Sequence, residues 1–157
     1  MIILAVAALA TLTLQPVAAQ HDPAHHHPPA SSGGDDARQA VAFPAMMKTH
    51  TLANMRDHLL ALAQIQEALA SGAYDRAAQT AEQRLGMTSL QAHGAHESSR
   101  FMPEGMQILG TSMHRSASRF ALEAQNSAAT GDLKPALAAL AQLTQACVAC
   151  HAAYRLQ

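Results

Sequence analysis

The chain of 157 residues has no Trp, two Tyr, three Phe and two Cys, and its charged residues make up 13%. So few aromatic and β-branched side chains argue against a sheet protein, while 36 Ala favour helices. Ten Lys+Arg stand against eleven Asp+Glu. That balance excludes the basic excess of a nucleic-acid binder and leaves no strong patch to steer a partner. A core with so few large side chains is poor in apolar bulk, which raises the question of what fills its middle.

The first 19 residues carry no charge. An apolar run from Ile2 to Leu14, then Gln15-Pro16 and Val17-Ala18-Ala19, read as a secretory signal cut after Ala19. No Lys or Arg precedes the run, and an uncleaved membrane anchor is the rival reading. Residues 20–37, opening QHDPAHHHPPASSGGDD, offer little to bury and read as a disordered linker. Its His21, His25, His26 and His27 are loose metal-binding candidates, with a plain solvated linker as the alternative. The folded domain is then 38–157, outside the cytoplasm, in a periplasmic setting, with no stable membrane insertion once the signal is removed.

Four helices follow from spacing and breakers. The first runs from Pro44 to Ala70, with Leu52, Met55, Leu59, Leu62, Gln66 and Leu69 on one face and Met47, His58 and Ile65 beside it. Ser71-Gly72 ends it. The second covers about Tyr74 to Leu85, with Ala77, Ala78, Ala81 and Leu85 inward. Gln91 to Ser99 reads as a loop. The third starts at Pro103-Glu104 and ends before Gly131, with Met106, Leu109, Gly110, Met113, Ala117, Phe120, Ala121 and Ala124 recurring at helical spacing. Asp132 is the expected N-cap of the fourth, with Pro135 in its first turn and Leu137, Leu140, Ala141, Leu143 and Thr144 along it. The expected fold class is all-α, an antiparallel four-helix bundle.

The chemistry lies in Cys147-Val148-Ala149-Cys150-His151, the C-x-x-C-H pattern of haem attachment. Two thiols at this spacing reach the two vinyl groups of one haem as thioethers, and the next residue supplies an imidazole as proximal iron ligand. A thioredoxin-like pair would need a βαβ setting, and a zinc site a second cysteine pair; neither is present. The expectation is one covalent haem c held by Cys147, Cys150 and His151. Met106, Leu109, Met113 and Phe120 are expected to form one wall of its pocket. Arg100, Arg115 and Arg119 are within the range of candidates for the propionates, with surface salt bridges as their other role.

A C-x-x-C-H near the C-terminus, on the last of four helices and followed by Tyr154-Arg155, resembles the class II c-type cytochromes, the cytochrome c-prime family and its low-spin relatives. The likeness spans about Val41 to Gln157, but only the haem segment is tightly matched. It implies a basic residue, Arg155, flanking the proximal imidazole. On a continuing helix Arg155 would share the face of His151, and a cation in a last turn is also favoured by the helix dipole. The low-spin relatives take a Met from the first helix as sixth ligand, whereas five-coordinate members leave the iron open. Counting back from Gly72 places the distal position near Met55 and Leu59, so Met55 is the expected ligand. Met46, Met47, His58 and an open site are its rivals.

His50 is expected at the surface, His114 outward or at a helix boundary, and His93 and His96 in the loop without partners. The resemblance also implies a possible homodimer through the first two helices. The leading functional expectation is a periplasmic electron carrier serving a redox partner protein, not an enzyme. The alternative is a five-coordinate protein binding NO or CO for sensing or protection. A peroxidase would need a distal acid–base pair, and Asp57 with His58 is not one, because adjacent helical residues point apart.

Overall fold

The computed structural model describes residues 36–157. The expected signal (1–19) and the four histidines of the linker lie outside the described residues. Within them the chain is predominantly helical. Pro44 precedes helix α1 (Ala45–Ala70) and its carbonyl accepts the Lys48 N–H at 2.9 Å. The Ser71 hydroxyl donates to the Glu67 carbonyl at 3.0 Å where α1 ends. Helix α2 (Tyr74–Arg84) is much shorter, with 11 residues against 26 in α1. A 3₁₀ turn (Met87–Ser89) follows, then the short helix α3 (Ala95–Ser99) within the stretch expected to be a loop.

Helix α4 (Glu104–Thr130) closes on Gly131, whose φ of +76° lets its N–H reach the Ser127 carbonyl at 2.9 Å. Helix α5 (Lys134–Ala153) starts later than expected, with Leu133 at the cap position. Asp132 still serves the helix start: its Oδ1 accepts the Lys134 N–H at 3.0 Å. By length and composition α5 is apolar enough to cross a membrane; here it packs along α4.

Alanine determines the packing. Ala61, Ala68, Ala77, Ala81, Ala117, Ala124 and Ala136 are fully buried, with Ile65, Leu85, Phe120 and Leu143 between them. Helix α4 packs on α2 and α5, and α1 on α2. The inward face of α2 is the expected one, as is that of α4 from Met106 to Ala124 except that Leu109 and Gly110 are half-buried. The face of α1 is the expected one only in part: Leu69 is buried, Leu62 packs against the core and Met55 lines a cavity, but the centre of the stripe is shifted. It buries His58, Ala61, Ile65, Ala68 and Leu69, while Leu59 is 68% exposed and Gln66 is exposed. On α5 the inward positions are Ala136, Ala139, Leu140 and Leu143, with Leu137, Ala141 and Thr144 turned out. Large Leu side chains suggested the wrong stripe because close helix approach selects the small residue at the contact.

A two-stranded parallel sheet joins the ends of the domain. Strand β1 (Gln39–Val41) pairs with β2 (Tyr154–Leu156), Gln39 opposite Tyr154 and Val41 opposite Leu156. Tyr154, at φ −129° and ψ 148°, is extended, so α5 stops before Arg155. Arg155 therefore does not share a helical face with His151, and its expected place in a last turn is corrected. Val41, Phe43 and Met106 form a small apolar cluster over this sheet, with Met47, Met102 and Tyr154 against it. A side chain at Gly105 would collide with the Tyr154 hydroxyl, so glycine there allows β2 to lie on α4.

The two readings of α1 separate by experiment. Ile65→Ala should cost about 2–5 kcal/mol in urea unfolding, and Leu59→Ala within about 0.5 kcal/mol. The reverse order would place the Leu stripe inward.

Candidate functional site

Because α2 stops at Arg84, it flanks the core half of α1 and α4. Beyond it, residues 85–103 take the place of a full helix as a wall. A cavity of about 340 Å³ opens there, lined by Lys48, Thr51, Leu52, Met55 and His58 of α1, Met106, Gly110, Met113 and His114 of α4, and the C-terminal part of α5. Cys147 and Cys150, one turn apart, are half-buried free thiols on this cavity, and the exposed His151 stands at its edge. Burial pushes both thiols up from the ordinary range, and the neighbouring Cys147 adds to the rise at Cys150.

Three cations line the same cavity: Arg38, Lys48 and Arg155. Arg38 is held by Asp36 through Nη2–Oδ2 at 2.7 Å and Nε–Oδ1 at 2.9 Å, and it also reaches the His151 carbonyl at 3.5 Å. Its guanidinium hydrogen bonds hold Asp36 down at about 2. Asp36, expected in the linker, is thus engaged with the domain. Arg155 Nε lies 3.5 Å from the same carboxylate, is itself buried and makes no hydrogen bond among the described residues.

Of the expected site residues, Cys147, Cys150, His151, Arg155, Met55, Met106 and Met113 share this cavity. Among the rival iron ligands, His58 lines it too, whereas Met46 is 83% exposed and Met47 packs by the strand pair. Phe120 belongs to the core, and Leu109 is absent from the lining, which corrects half of the expected wall. Arg100, Arg115 and Arg119 are exposed, do not line the cavity and make no ion pair among the described residues.

The sequence reading missed a histidine cluster. His58 of α1, His93 of the turn before α3 and His114 of α4 stand with ring centroids 4.8, 5.5 and 6.0 Å apart. His114 is buried rather than outward, its Nδ1 donating to the Leu85 carbonyl at 2.7 Å. His93 Nδ1 is 3.3 Å from the Ser89 hydroxyl, and His58 Nε2 is buried without a partner among the described residues. His50, expected at the surface, is half-buried with its Nε2 3.0 Å from the His93 carbonyl, which also accepts from Asn54. The missed signal was register: His114, Ala117, Ala121 and Ala124 fall on one line, as do His58, Ala61, Ile65 and Ala68.

A second cavity of about 150 Å³ adjoins this cluster, lined by all three imidazoles with Asn54, Ser98 and Gln107. It shares Thr51, Met55, His58, Met102, Gly110 and His114 with the larger cavity. Burial, then the neighbouring imidazoles His93 and His114, push His58 down to about 4. Desolvation lowers His93 and His114 as well. Asp57, beside His58 in sequence, instead ties Arg84 to α1, and the Arg84 hydrogen bonds lower its carboxyl. As the side chains stand, no group of three or more His, Cys, Asp or Glu among the described residues is set to hold a metal ion.

Comparison with protein-family models, with curated proteins and with solved structures gives no match.

The His58 shift fixes a sign. The unfolded imidazole binds a proton near 6.5 and the folded one only near 4, so this contribution to stability is full above 6.5 and shrinks as pH falls toward 4. The loss from His58 is roughly 3 kcal/mol at most. His93 and His114 act in the same direction, while Asp57 and Asp36 lose theirs only below the carboxylate range. Urea midpoints should therefore fall between pH 7 and pH 5, and His58→Gln should flatten that slope. An unchanged slope would mean that His58 titrates normally.

Proposed function

We propose that the chain is an exported monohaem c-type cytochrome of the class II kind that transfers electrons in the periplasm, with α1, α2, α4 and α5 as its antiparallel four-helix bundle. The observation that carries this reading is the C-x-x-C-H segment on the wall of a cavity that already has the lining a haem needs. Cys147 and Cys150 are free and face one cavity, where thioether attachment requires them. Met55, Met106 and Met113 give soft apolar surface that adapts to a flat ring. Arg38, Lys48 and Arg155 supply cations for propionate carboxylates, a set different from the three arginines expected.

When bound, the haem supplies a one-electron couple at its iron. This chain's part is to anchor and tune it. His151 would hold the iron through its imidazole, and Arg38 reaches the His151 carbonyl at the end of α5. Met55, on the same cavity, would offer the iron its thioether, which would raise the potential and suit an electron carrier. Leu52, Leu59 and Leu60 of α1 remain exposed where the family likeness puts a homodimer contact. A second reading, binding of NO or CO at an open site, is favoured by one observation: the 150 Å³ cavity adjoins the larger one at Met55, with room for a small ligand.

Expressed with a haem-attachment system and exported, the protein should carry one haem that survives denaturing electrophoresis. Cys147→Ser with Cys150→Ser should abolish that stain, and a stain-negative wild type would refute haem attachment. The oxidised protein should be low-spin with a thioether charge-transfer band in the red, which Met55→Ala removes. A high-spin spectrum that shifts on adding CO would instead favour gas binding.

A further inference from the structure

We propose that His58, His93 and His114 form a second metal site, for one divalent ion of the zinc or copper class, distinct from the C-x-x-C-H segment. Three imidazoles converge here from three separate segments of the chain. An ion bound by three ring nitrogens at about 2.0–2.1 Å in tetrahedral geometry sets the ring centroids roughly 5 Å apart. The observed separations are 4.8, 5.5 and 6.0 Å. The nitrogens do not yet surround one point. Loading turns the rings, a side-chain change that ordinary binding makes with little backbone movement.

The outer contacts are those of metal-bound histidines. A ligating imidazole donates its other N–H to a carbonyl, hydroxyl or water, which fixes its tautomer. His114 Nδ1 does so to the Leu85 carbonyl at 2.7 Å, and His93 Nδ1 meets the Ser89 hydroxyl at 3.3 Å. That leaves Nε2 of each ring as the candidate donor. Independently, the buried His58 Nε2 has no hydrogen-bond partner among the described residues, and an unsatisfied buried nitrogen calls for an ion or a water. An all-imidazole set suits zinc, copper or nickel rather than magnesium or calcium. The 150 Å³ cavity lined by all three rings has room for a water or a small anion as a fourth ligand. Assigning His58 to this site removes it as a rival ligand for the haem iron. None of the three donors belongs to the C-x-x-C-H segment, but His58 and His114 also line the larger cavity, so the site is tested with and without attached haem.

The test uses the full exported chain with His21, His25, His26 and His27 replaced by Ala, so that the tail cannot compete. It is run on haem-loaded protein and on the Cys147→Ser/Cys150→Ser form. Equilibrium dialysis against Zn²⁺ should give one ion per chain in both. His58→Gln, His93→Gln and His114→Gln should each weaken binding at least tenfold, Ser89→Ala roughly ten- to hundredfold, and exposed His96→Gln not at all. Zn²⁺ should raise the melting temperature of the parent and leave the His93→Gln melt unchanged. Because a buried variant can misfold, Cu²⁺ on the parent provides a second measurement: its EPR spectrum should show imidazole nitrogen coupling. Absence of saturable Zn²⁺ binding, unaltered affinity in the three His→Gln variants, or a Cu²⁺ signal without nitrogen coupling would each overturn the site. The haem stain is read on the same samples, so loss of zinc binding and loss of haem are told apart.

Discussion

Close approach of helices through alanine is the constraint on which the rest of this structure depends. Ala61, Ala68, Ala77, Ala81, Ala117, Ala124 and Ala136 are fully buried where α1, α2, α4 and α5 meet. A core of this kind buries little area per residue but loses almost no side-chain freedom. It is dense at one end only. Past Arg84 no long helix fills the place of α2, the inward residues change from Ala to Met, and the space that an ordinary core would pack with aromatics becomes a cavity. The scarcity of Trp and Phe and the presence of the cavity are one fact seen twice.

The cavity divides labour among the elements. α5 brings Cys147, Cys150 and His151 to one wall, α4 brings Met106 and Met113 to another, and α1 presents Met55 and His58 across from them. The strand pair secures the end of α5. Asp36 holds Arg38, Arg38 contacts the carbonyl of His151, and Arg155 leans on the same carboxylate. Under the proposed function this arrangement places a cationic rim around an apolar slot, the electrostatic layout for a flat ring with acid groups on one edge. The paired cysteines resist ionisation because they are partly desolvated, as thiols facing an apolar site should be.

The bounds of α1, α2 and α4 and the C-x-x-C-H motif were legible in the sequence because both are local signals. Proline before α1 and α4, glycine after α4, and three-residue thiol spacing each act within a turn or two. What escaped were features set by distant partners. The inner face of α1 was misplaced since Leu59 outweighs Ala61 on any hydrophobicity count, while packing prefers the smaller group. The strands are three residues long and each is ordered only by the other, so neither has a periodicity to read. Arg155 followed the helix in the sequence reading and left it in the structure for the same reason. His93 and His114 looked like isolated polar residues, and their meeting depends on a turn between Leu85 and Ala95 that no pattern announces.

The β1–β2 pairing has a consequence for the order of events in folding. Arg38 and His151, which it brings together, are 113 positions apart in the chain. Contacts of that separation form late, after the local helices, because closing so long a loop comes with a large entropy loss. Cys147 and Cys150 lie on α5, which docks on its sequence neighbour α4, so the pairing of the two ends is left as the last step to close their side of the cavity. Under the proposed function, an enzyme that attaches the ring to these thiols would meet their side of the cavity still open, before the two ends of the domain pair.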